Sequence, residues 1–385
     1  AILCGLKTLG IKFNDIDYVA VGKDPNANKV EKYIYTLKNP LLVKKLLKIK
    51  LNKEKQNLED IIKKELNLSD SECKFKVVNV EHHVAHIASS FFTSNFDESA
   101  GISIDGSGDF VTCMYAHCKG NKIEPIHRIY VPNSLGSFYF TGCQYVGYDR
   151  YGDEGKVMGL APYGKPVFSE QFDDIISFEN SQIKLNSKYF EPFGSNQGVL
   201  LNEDGSVSTQ KHYSKYFEEQ FWGVGRKSGE DIEQRHMDFS FGLQKRFEEI
   251  YFQIFNDLHD KLSIDRVSIA GGCALNSVAN GKLFKYTKFK DTAIHSAPAD
   301  DGLAAGAALY VAAQEESNLR RNSNFSCYFG SSFSTNEIKN ELDKNKVDYF
   351  QVNDSKKLHK SVAKLISEGL VIGSFQGKSE WGPRA

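Results

Sequence analysis

Three histidines stand within five positions of one another, in the run EHHVAHIASSFF that covers residues 81–92. Residues four apart lie on one face of an α-helix, so the rings of His82 and His86 can point at one spot. This is the two-ligand spacing of many metal sites. The alternative is that the histidines cap a helix or lie in water. His83 points elsewhere and is predicted to be structural or to face a substrate.

Carboxylates that could complete such a site occur at two places. Asp105 ends the apolar pattern of ISID and precedes Gly-Ser-Gly, whose backbone amides could approach phosphate oxygens. A plain hairpin turn would also explain this pattern. Asp300 and Asp301 come directly before a helix of small residues, where the helix dipole favours acids by itself. Two adjacent acids are more than a cap needs, so this pair is a candidate source of a ligand.

The strongest nucleotide signal is the run VSIAGGCALNSVANGKL, in which a buried strand pattern leads into Gly271 and Gly272. Glycines there let a nucleotide lie against the backbone, and the N-terminus of the following helix favours negative charge. Asn276 and Asn280 lie four apart and are candidates for contacts to the ribose or the base. A second glycine-rich run, 151–166, predicts backbone that passes close to a ligand, with a surface loop as the alternative.

The elements that would position these residues follow from the periodicity of the chain. Strand patterns over 100–117 and 122–131 predict three antiparallel strands, after which helices and strands alternate. This order is typical of a ribonuclease-H-like unit, and residues 17–93 resemble the second half of another. Two such units in tandem predict an α/β fold of the actin-like ATPase (ASKHA) type, with nucleotide between the halves. We predict that this domain covers 1–325 and that a linker and a new domain begin within 326–385.

Composition limits the class of protein. A chain of 385 residues suggests two or three domains. Its 48 Lys and Arg against 49 Asp and Glu give a net charge of −1, so no overall field favours nucleic acid or anionic lipid. Seven scattered cysteines without a CxxC pair favour a reducing compartment. No apolar run approaches the roughly 20 residues of a membrane helix, and the sequence predicts a cytoplasmic protein.

Six motifs occur in an order that resembles the nodulation-type O-carbamoyltransferase family: EHHVAHIASSFF, SIDGSGD, SLGSFY, EGKVMGLAPYG, GGCALNSVANGKL and EWGPRA. This family includes enzymes that carbamoylate nodulation factors and several antibiotics. The HHxxH pattern alone would not distinguish it from tRNA threonylcarbamoyltransferases or hydrogenase-maturation carbamoyltransferases. The EGKVMGLAPYG and GGCALN motifs do make that distinction.

The resemblance implies an activity and a set of site residues. Family members form carbamoyl-adenylate from carbamoyl phosphate and ATP, and then transfer the carbamoyl group to a hydroxyl of a small molecule or sugar. A divalent metal, Fe(II) in the family, joins nucleotide phosphate to protein; its ligands here would be His82, His86, Asp105 and Asp300. Imidazole and carboxylate donors suit Mn or Zn as well. The nucleotide contacts carried over are Gly106, Ser107, Gly108, Asp109, Glu154, Lys156, Gly271, Gly272 and Asn276.

The family also has a second domain, of the YrdC-like α/β type, that binds carbamoyl phosphate through arginines. FQGKSEWGPRA resembles its beginning, and Arg384 matches the first of these arginines. Lys378 stands where the family usually has Arg, which weakens a bidentate phosphate contact. The family's general-base histidine belongs to a first strand upstream of residue 1. The sequence therefore predicts a fragment that binds nucleotide and metal without completing transfer.

Two other functions stay open at this stage. A tRNA threonylcarbamoyladenosine-type transferase would need a basic surface for tRNA, which the net charge does not favour. A non-catalytic actin-like nucleotide-binding protein would be favoured by loss of the histidines or Asp105, and all are present. The acceptor, the metal and the oligomeric state, including a homodimer, are not predicted. Nor is the role of 165–225, which has no clear period and is predicted to be an insertion or lid.

Overall fold

The computed structural model describes residues 2–39, 58–69, 73–150, 152–192, 199–201, 207–316 and 326–383. The chain divides into two compact units, residues 1–323 and 324–385. All of the described strands lie in the larger unit. Among the described helices, none combines the length and the apolar character that a membrane span requires.

The described strands of the larger unit are β1 Tyr18–Val21, β2 Lys76–Asn79, β3 Glu98–Gly108, β4 Val111–Lys119, β5 Lys122–Tyr130, β6 Ile176–Glu179, β7 Gln182–Leu185, β8 Val199–Leu201, β9 Val207–Thr209, β10 Arg266–Ala270 and β11 Asp291–Ile294. Its described α-helices are α1 Ile2–Leu9, α2 Lys29–Lys38, α3 Leu58–Leu66, α4 His82–Phe91, α5 Leu135–Tyr145, α6 Glu154–Leu160, α7 Ser169–Ile175, α8 Lys215–Gln220, α9 Gln234–Leu262, α10 Ser277–Asn280, α11 Leu283–Tyr286 and α12 Asp300–Glu315.

A mixed five-stranded sheet forms the centre of the larger unit, in the order β11-β10-β3-β4-β5. The segment β3-β4-β5 is the predicted antiparallel meander, and β10 and β11 continue the sheet in parallel with β3. The chain is thus an α/β protein. β1 and β2 form a separate parallel pair. The described residues before β3 therefore contribute two strands, so the tandem description stays a prediction.

Helices cover both faces of this sheet, each because its apolar residues face the strands. α4 and α12 pack together on one face, in a core that includes Ile87, Phe91 and Met114. α5 and α9 pack on the other, in a core that includes Ile104, Phe138 and Leu243. α4 is buried along its whole length, which explains why its sequence lacks the polar face of a surface helix.

The stretch predicted to be an aperiodic insertion, 165–225, contains regular structure. Its described residues include α7, the hairpin of β6 and β7, the hairpin of β8 and β9, and α8. Aromatic side chains from these elements pack against α9 and Tyr145 of α5; they are Phe168, Phe172, Phe217, Phe221 and Trp222. The sequence did not reveal these elements, because short elements that pack through scattered aromatic residues leave no periodic pattern. That the stretch is an insertion or lid stays a prediction.

The smaller unit contains two described helices, α13 Thr335–Lys344 and α14 Ser355–Ser367. Ser334 begins α13 with a capping box, since its hydroxyl accepts the N–H of Glu337 and the Glu337 carboxylate accepts the N–H of Ser334. The backbone N–H of Trp381 donates to the carbonyl of Cys327 at 2.7 Å. The proposed start of a YrdC-like domain at this end of the chain stays a prediction.

Candidate metal centre

The first turn of α4 brings two imidazoles together. His82 is the first residue of α4 and His86 lies one turn later, and both side chains are buried. Their Nε2 atoms are 3.0 Å apart. This arrangement excludes the alternative in which the histidines lie in water.

Two carboxylates from distant parts of the chain reach the same point. Asp105 Oδ2, near the end of β3, lies 3.3 Å from His82 Nε2 and 3.1 Å from His86 Nε2. Asp300 Oδ1, at the start of α12, lies 3.4 Å and 3.3 Å from the same two atoms. The four donor atoms all lie within 4.8 Å of one another. The four residues predicted as ligands are therefore together, and we refer to them as the candidate metal centre.

The spacing of these donors fits a single metal ion. Donors held about 2.1 Å from a metal lie about 3.0 Å apart in an octahedral site and about 3.4 Å apart in a tetrahedral site. The five contacts given above span the same range, 3.0 to 3.4 Å. The Asp300 side chain is 55% exposed, whereas that of His86 is fully buried. The centre is thus closed on the α4 side and open beside Asp300.

The electrostatics of the centre favour positive charge. Burial would lower the pKa of His86, but hydrogen bonds to Asp105 and Asp300 outweigh burial and raise this pKa to about 9. Burial would likewise raise the pKa of Asp105, but hydrogen bonds from His82 and His86 hold it well below its ordinary range. The carboxylate oxygens of Asp105 and Asp300 beside two imidazoles form a donor set that suits a divalent cation.

His83 has a structural role in this arrangement. Its Nδ1 lies 2.9 Å from the hydroxyl of Ser103, and its Nε2 lies 2.9 Å from the carbonyl of Val111. A carbonyl only accepts, so Nε2 carries the proton and Nδ1 accepts from Ser103. Burial lowers the pKa of His83 to about 3, so the ring is neutral. Of the two roles predicted for His83, the geometry supports the structural one.

Asp105 also joins the two glycine-rich turns. Its Oδ1 accepts the N–H of Gly106 at 2.7 Å and the N–H of Gly272 at 3.2 Å. A Cβ atom on Gly271, whose φ is +87°, would overlap with the backbone of Ile104 on β3. The glycines at 271 and 272 therefore allow the end of β10 to approach β3. The turns predicted to contact nucleotide lie side by side at the candidate metal centre.

Other residues predicted to contact nucleotide are engaged within the protein. The Asp109 carboxylate accepts the backbone N–H groups of Asp24 and His82. Asn276 is buried, exchanges two hydrogen bonds with Gln244, and accepts the N–H of Ala279. These side chains hold the local backbone, so a contact to nucleotide from either residue stays a prediction.

The remaining predicted residues lie in α6, at the end of β3 and at the C-terminal end of the chain. Glu154 and Lys156 lie in α6, where Lys156 is exposed and pairs with Asp153 at 2.6 Å. A Cβ on Gly108 would overlap with the His82 ring, so this glycine lets β3 end against His82. Ser107 is the residue exposed at this end of β3. Arg384 lies outside the described residues.

The sequence reasoning missed a group of residues around the start of α4. Glu81 forms a two-pronged ion pair with Arg128 of β5, at 3.0 and 2.8 Å, and accepts from Asn28. Glu81 begins the EHHVAHIASSFF motif but was given no role there, and no motif marks Arg128, 47 positions further along the chain. Asp301 follows Asp300 on α12, and burial raises the pKa of its carboxyl.

Comparison with known proteins gives the family. Residues 1–309 match the family described as Carbamoyltransferase N-terminus. The chain is 35% identical to an uncharacterized protein of Synechocystis over 348 residues, which are 86% of this chain and 53% of that protein. It is 31% identical to nodulation protein NolNO of Sinorhizobium fredii over 80% of this chain and 42% of that protein. For nodulation protein NolO of Bradyrhizobium diazoefficiens the identity is 32%, over 80% and 52%.

The chain spans about half the length of these curated relatives. Similar solved structures include HypF of T. kodakarensis, with a TM-score of 0.32 and 14% identity over 68% of this chain and 39% of that chain. Another is full-length HypF in the phosphate- and nucleotide-bound form, with a TM-score of 0.33 and 16% identity over 66% and 38%. The family match covers most of the chain and includes every residue of the candidate metal centre. The protein belongs to the carbamoyltransferase N-terminus family.

Proposed function

We propose that this chain is the nucleotide- and metal-binding part of an ATP-dependent O-carbamoyltransferase. The activity would form carbamoyl-adenylate from carbamoyl phosphate and ATP and transfer the carbamoyl group to a hydroxyl of a small molecule or sugar. The observation that carries the proposal is the four-donor cluster beside two glycine-rich turns, in a chain of this family. The tandem actin-like arrangement of the fold is part of the same proposal.

The surroundings of the centre suit a polyphosphate. α4 begins at His82 and α12 begins at Asp300, so two helix N-termini, each with about half a positive charge, face the same place. The backbone beside Asp105 is free of side chains at Gly106, where a Cβ atom would meet no atom within 4 Å. A metal held by the four donors would neutralise phosphate oxygens; Fe(II), Mn and Zn all suit these donors.

The reaction balances with one water. Carbamoyl phosphate, ATP and water give carbamoyl-adenylate, phosphate and pyrophosphate. The acceptor oxygen then attacks the carbamoyl carbon, its proton passes to a base, and AMP leaves. The described residues of this chain would hold the triphosphate and orient its α-phosphate through the backbone near Gly106 and Gly272. The base and most of the arginines for carbamoyl phosphate are expected in the rest of a longer protein.

Calorimetric titration tests the binding part of this proposal. ATP with Mn²⁺ should bind the 385-residue chain, and His86→Ala should weaken that binding at least about tenfold because it removes a ligand. His117→Ala is the matched control, because His117 pairs with Glu98 on the surface of β4 and should leave affinity unchanged. Equal ATP affinity with and without Mn²⁺, or equal affinity in His86→Ala, would contradict the proposal.

Turnover is tested in a protein of the relatives' full length. Pyrophosphate release should require both ATP and carbamoyl phosphate, and it should fall strongly in Asp300→Ala. Pyrophosphate release that is independent of carbamoyl phosphate would indicate another reaction.

A further inference from the structure

The N-terminal turn of α4 is attached to the central sheet at three consecutive residues. Glu81, the residue before the helix, pairs with Arg128 on β5. The backbone N–H of His82 donates to Asp109 at 2.9 Å, at the turn between β3 and β4. The ring of His83 contacts Ser103 of β3 and the carbonyl of Val111 of β4. The first metal ligand of the helix therefore lies between two anchored residues.

The contact of Glu81 with Arg128 has the geometry of a specific pair. Arg128 Nε donates to Glu81 Oε1 at 3.0 Å, and Nη2 donates to Oε2 at 2.8 Å. Asn28 Nδ2 donates to Glu81 Oε1 as well, at 3.0 Å. The side chains are mostly buried, 16% exposed for Glu81 and 26% for Arg128. A bidentate pair shielded in this way restricts position more strongly than a surface salt bridge.

Glu81 makes this contact instead of capping its own helix. It occupies the N-cap position of α4, but its side chain makes no cap hydrogen bond. The N–H of His82 is accepted by Asp109, whose φ of +48° is followed by a φ of +80° at Phe110. Positive φ at two non-glycine residues costs backbone free energy. The local structure thus uses both a strained turn and a diverted N-cap carboxylate to attach α4 to the sheet.

The anchoring residues belong to the same sheet as the third metal ligand. Arg128 pairs in register with Met114 of β4, and Met114 pairs with Ser103 of β3. Ser103 is two residues before Asp105 on the same strand. Arg128, Met114 and Ser103 thus lie side by side across three strands, and the outer two contact Glu81 and His83. These contacts therefore also determine where α4 lies relative to Asp105.

We propose that Glu81 and Arg128 are positioning residues of the candidate metal centre, because their pairing places His82 and His86 at bonding distance from one metal ion. This inference rests on the proposed function. His86 needs such placement, since its Nδ1 is buried and has no hydrogen-bond partner among the described residues. Its ring is oriented by the helix rather than by a bond to its second nitrogen.

The pair could affect metal binding through its charges or by positioning α4, and these two roles predict opposite effects of removing Arg128. If the pair acted only through its field, removing the arginine charge would strengthen cation binding, and removing the glutamate charge would weaken it. If the pair acts by position, Arg128→Gln and Glu81→Gln both weaken metal binding. The sign for Arg128→Gln therefore distinguishes the two roles.

The experiment measures the Mn²⁺ dissociation constant by electron paramagnetic resonance of free Mn²⁺, in the 385-residue chain and without nucleotide. Glu81→Gln, Arg128→Gln and the conservative Arg128→Lys should each weaken Mn²⁺ binding about tenfold or more, the usual effect of losing a group that orients a ligand. The double variant Glu81→Gln with Arg128→Gln should bind Mn²⁺ no more weakly than the single variant with the lower affinity, because either single substitution already breaks the pair.

Arg246→Lys is the matched control. Arg246 is also mostly buried, pairs with Asp173 and donates to the carbonyl of Ile176, but it lies on α9, away from α4. It should lose comparable stability to urea while keeping its Mn²⁺ affinity. Tighter binding in Arg128→Gln, unchanged binding in Arg128→Lys, or an equal loss in Arg246→Lys would overturn the positioning role. Failure of the parent chain to bind Mn²⁺ would overturn the candidate metal centre itself.

Discussion

At the scale of single residues, Asp105 connects the candidate metal centre to the glycine-rich turns through its two carboxylate oxygens. One oxygen faces His82 and His86, and the other accepts N–H groups from Gly106 and Gly272. The geometry of the candidate metal centre is therefore coupled to that of the glycine-rich turns. A substitution in the glycine-rich turns that moves Asp105 should therefore also change metal binding.

This coupling gives a prediction for two glycines. A Cβ on Gly272 would lie 2.8 Å from Asp105 Oδ1, whereas a Cβ on Gly106 would meet nothing within 4 Å. Gly272→Ala should therefore displace Asp105 and weaken Mn²⁺ binding about tenfold or more, as loss of a group that orients a ligand usually does. Gly106→Ala should keep Mn²⁺ affinity and weaken ATP binding only. The two titrations, run on both variants, would contradict the coupling if Gly272→Ala bound Mn²⁺ normally.

At the scale of elements, the crossing of α4 and α12 brings Asp300 to the histidines. Gly306 of α12 lies against α4, where a Cβ atom would overlap with the carbonyl oxygen of Ala85. The small residues of α12 were noted in the sequence beside its two acids, but their function is close helix packing. Without that approach Asp300 would not reach His86.

Gly306→Ala tests this packing. Alanine favours an isolated helix over glycine by about 1 kcal/mol. In this crossing the added methyl group must push the helices apart, which typically costs about 1–3 kcal/mol. We expect lower stability to urea and weaker Mn²⁺ binding. Ala308→Gly, at an exposed position of the same helix, should lose stability but keep Mn²⁺ affinity. A more stable Gly306→Ala variant with normal Mn²⁺ affinity would show that the crossing is not tight.

Helices α7 and α8 and the β6–β7 hairpin, all within 165–225, contribute buried residues to the structural core rather than to the candidate metal centre. Phe217 of α8 is buried among Tyr145, Phe221 and Phe239 in the core on the α9 face of the sheet, whereas α4 lies on the other face. Phe217→Ala should lower the free energy of unfolding by about 3–5 kcal/mol. The Mn²⁺ affinity of the folded protein should stay unchanged, since effects at separated sites are largely independent. A parallel loss of affinity would mean that this segment reaches the centre.

At the scale of the whole molecule, the four residues of the candidate metal centre come from three segments that meet only in the folded larger unit. Metal should therefore bind the folded state and stabilise it, by about 2.7 kcal/mol at a free concentration one hundred times the dissociation constant. Mn²⁺ should raise the midpoint of thermal unfolding, and a chelator should reverse the rise. His86→Ala should show no rise, and an equal rise in that variant would place the metal elsewhere.

The sequence by itself indicated the histidine pair of the candidate metal centre and the main elements of the sheet. The four-residue spacing of His82 and His86 survives in the structure because a helix turn brings such residues together whatever surrounds it. The meander of β3, β4 and β5 was equally visible, since strand alternation and a Gly-rich turn are local signals. Family membership also followed from ordered motifs, and the comparisons confirm it.

Only the tertiary structure decided which atoms meet. Local periodicity could not choose between Asp300 and Asp301, because that choice depends on how α12 crosses α4 at Gly306. It could not find the pairing of Glu81 with Arg128 either, since that contact depends on how α4 packs against the sheet of β3, β4 and β5. Contacts between residues far apart in the chain leave no periodic trace, and the aromatic core of 165–225 was missed for the same reason. Spacing along the chain indicates which residues are neighbours within one helix or strand. Contacts between residues of different elements depend on how those elements pack, which only the tertiary structure shows.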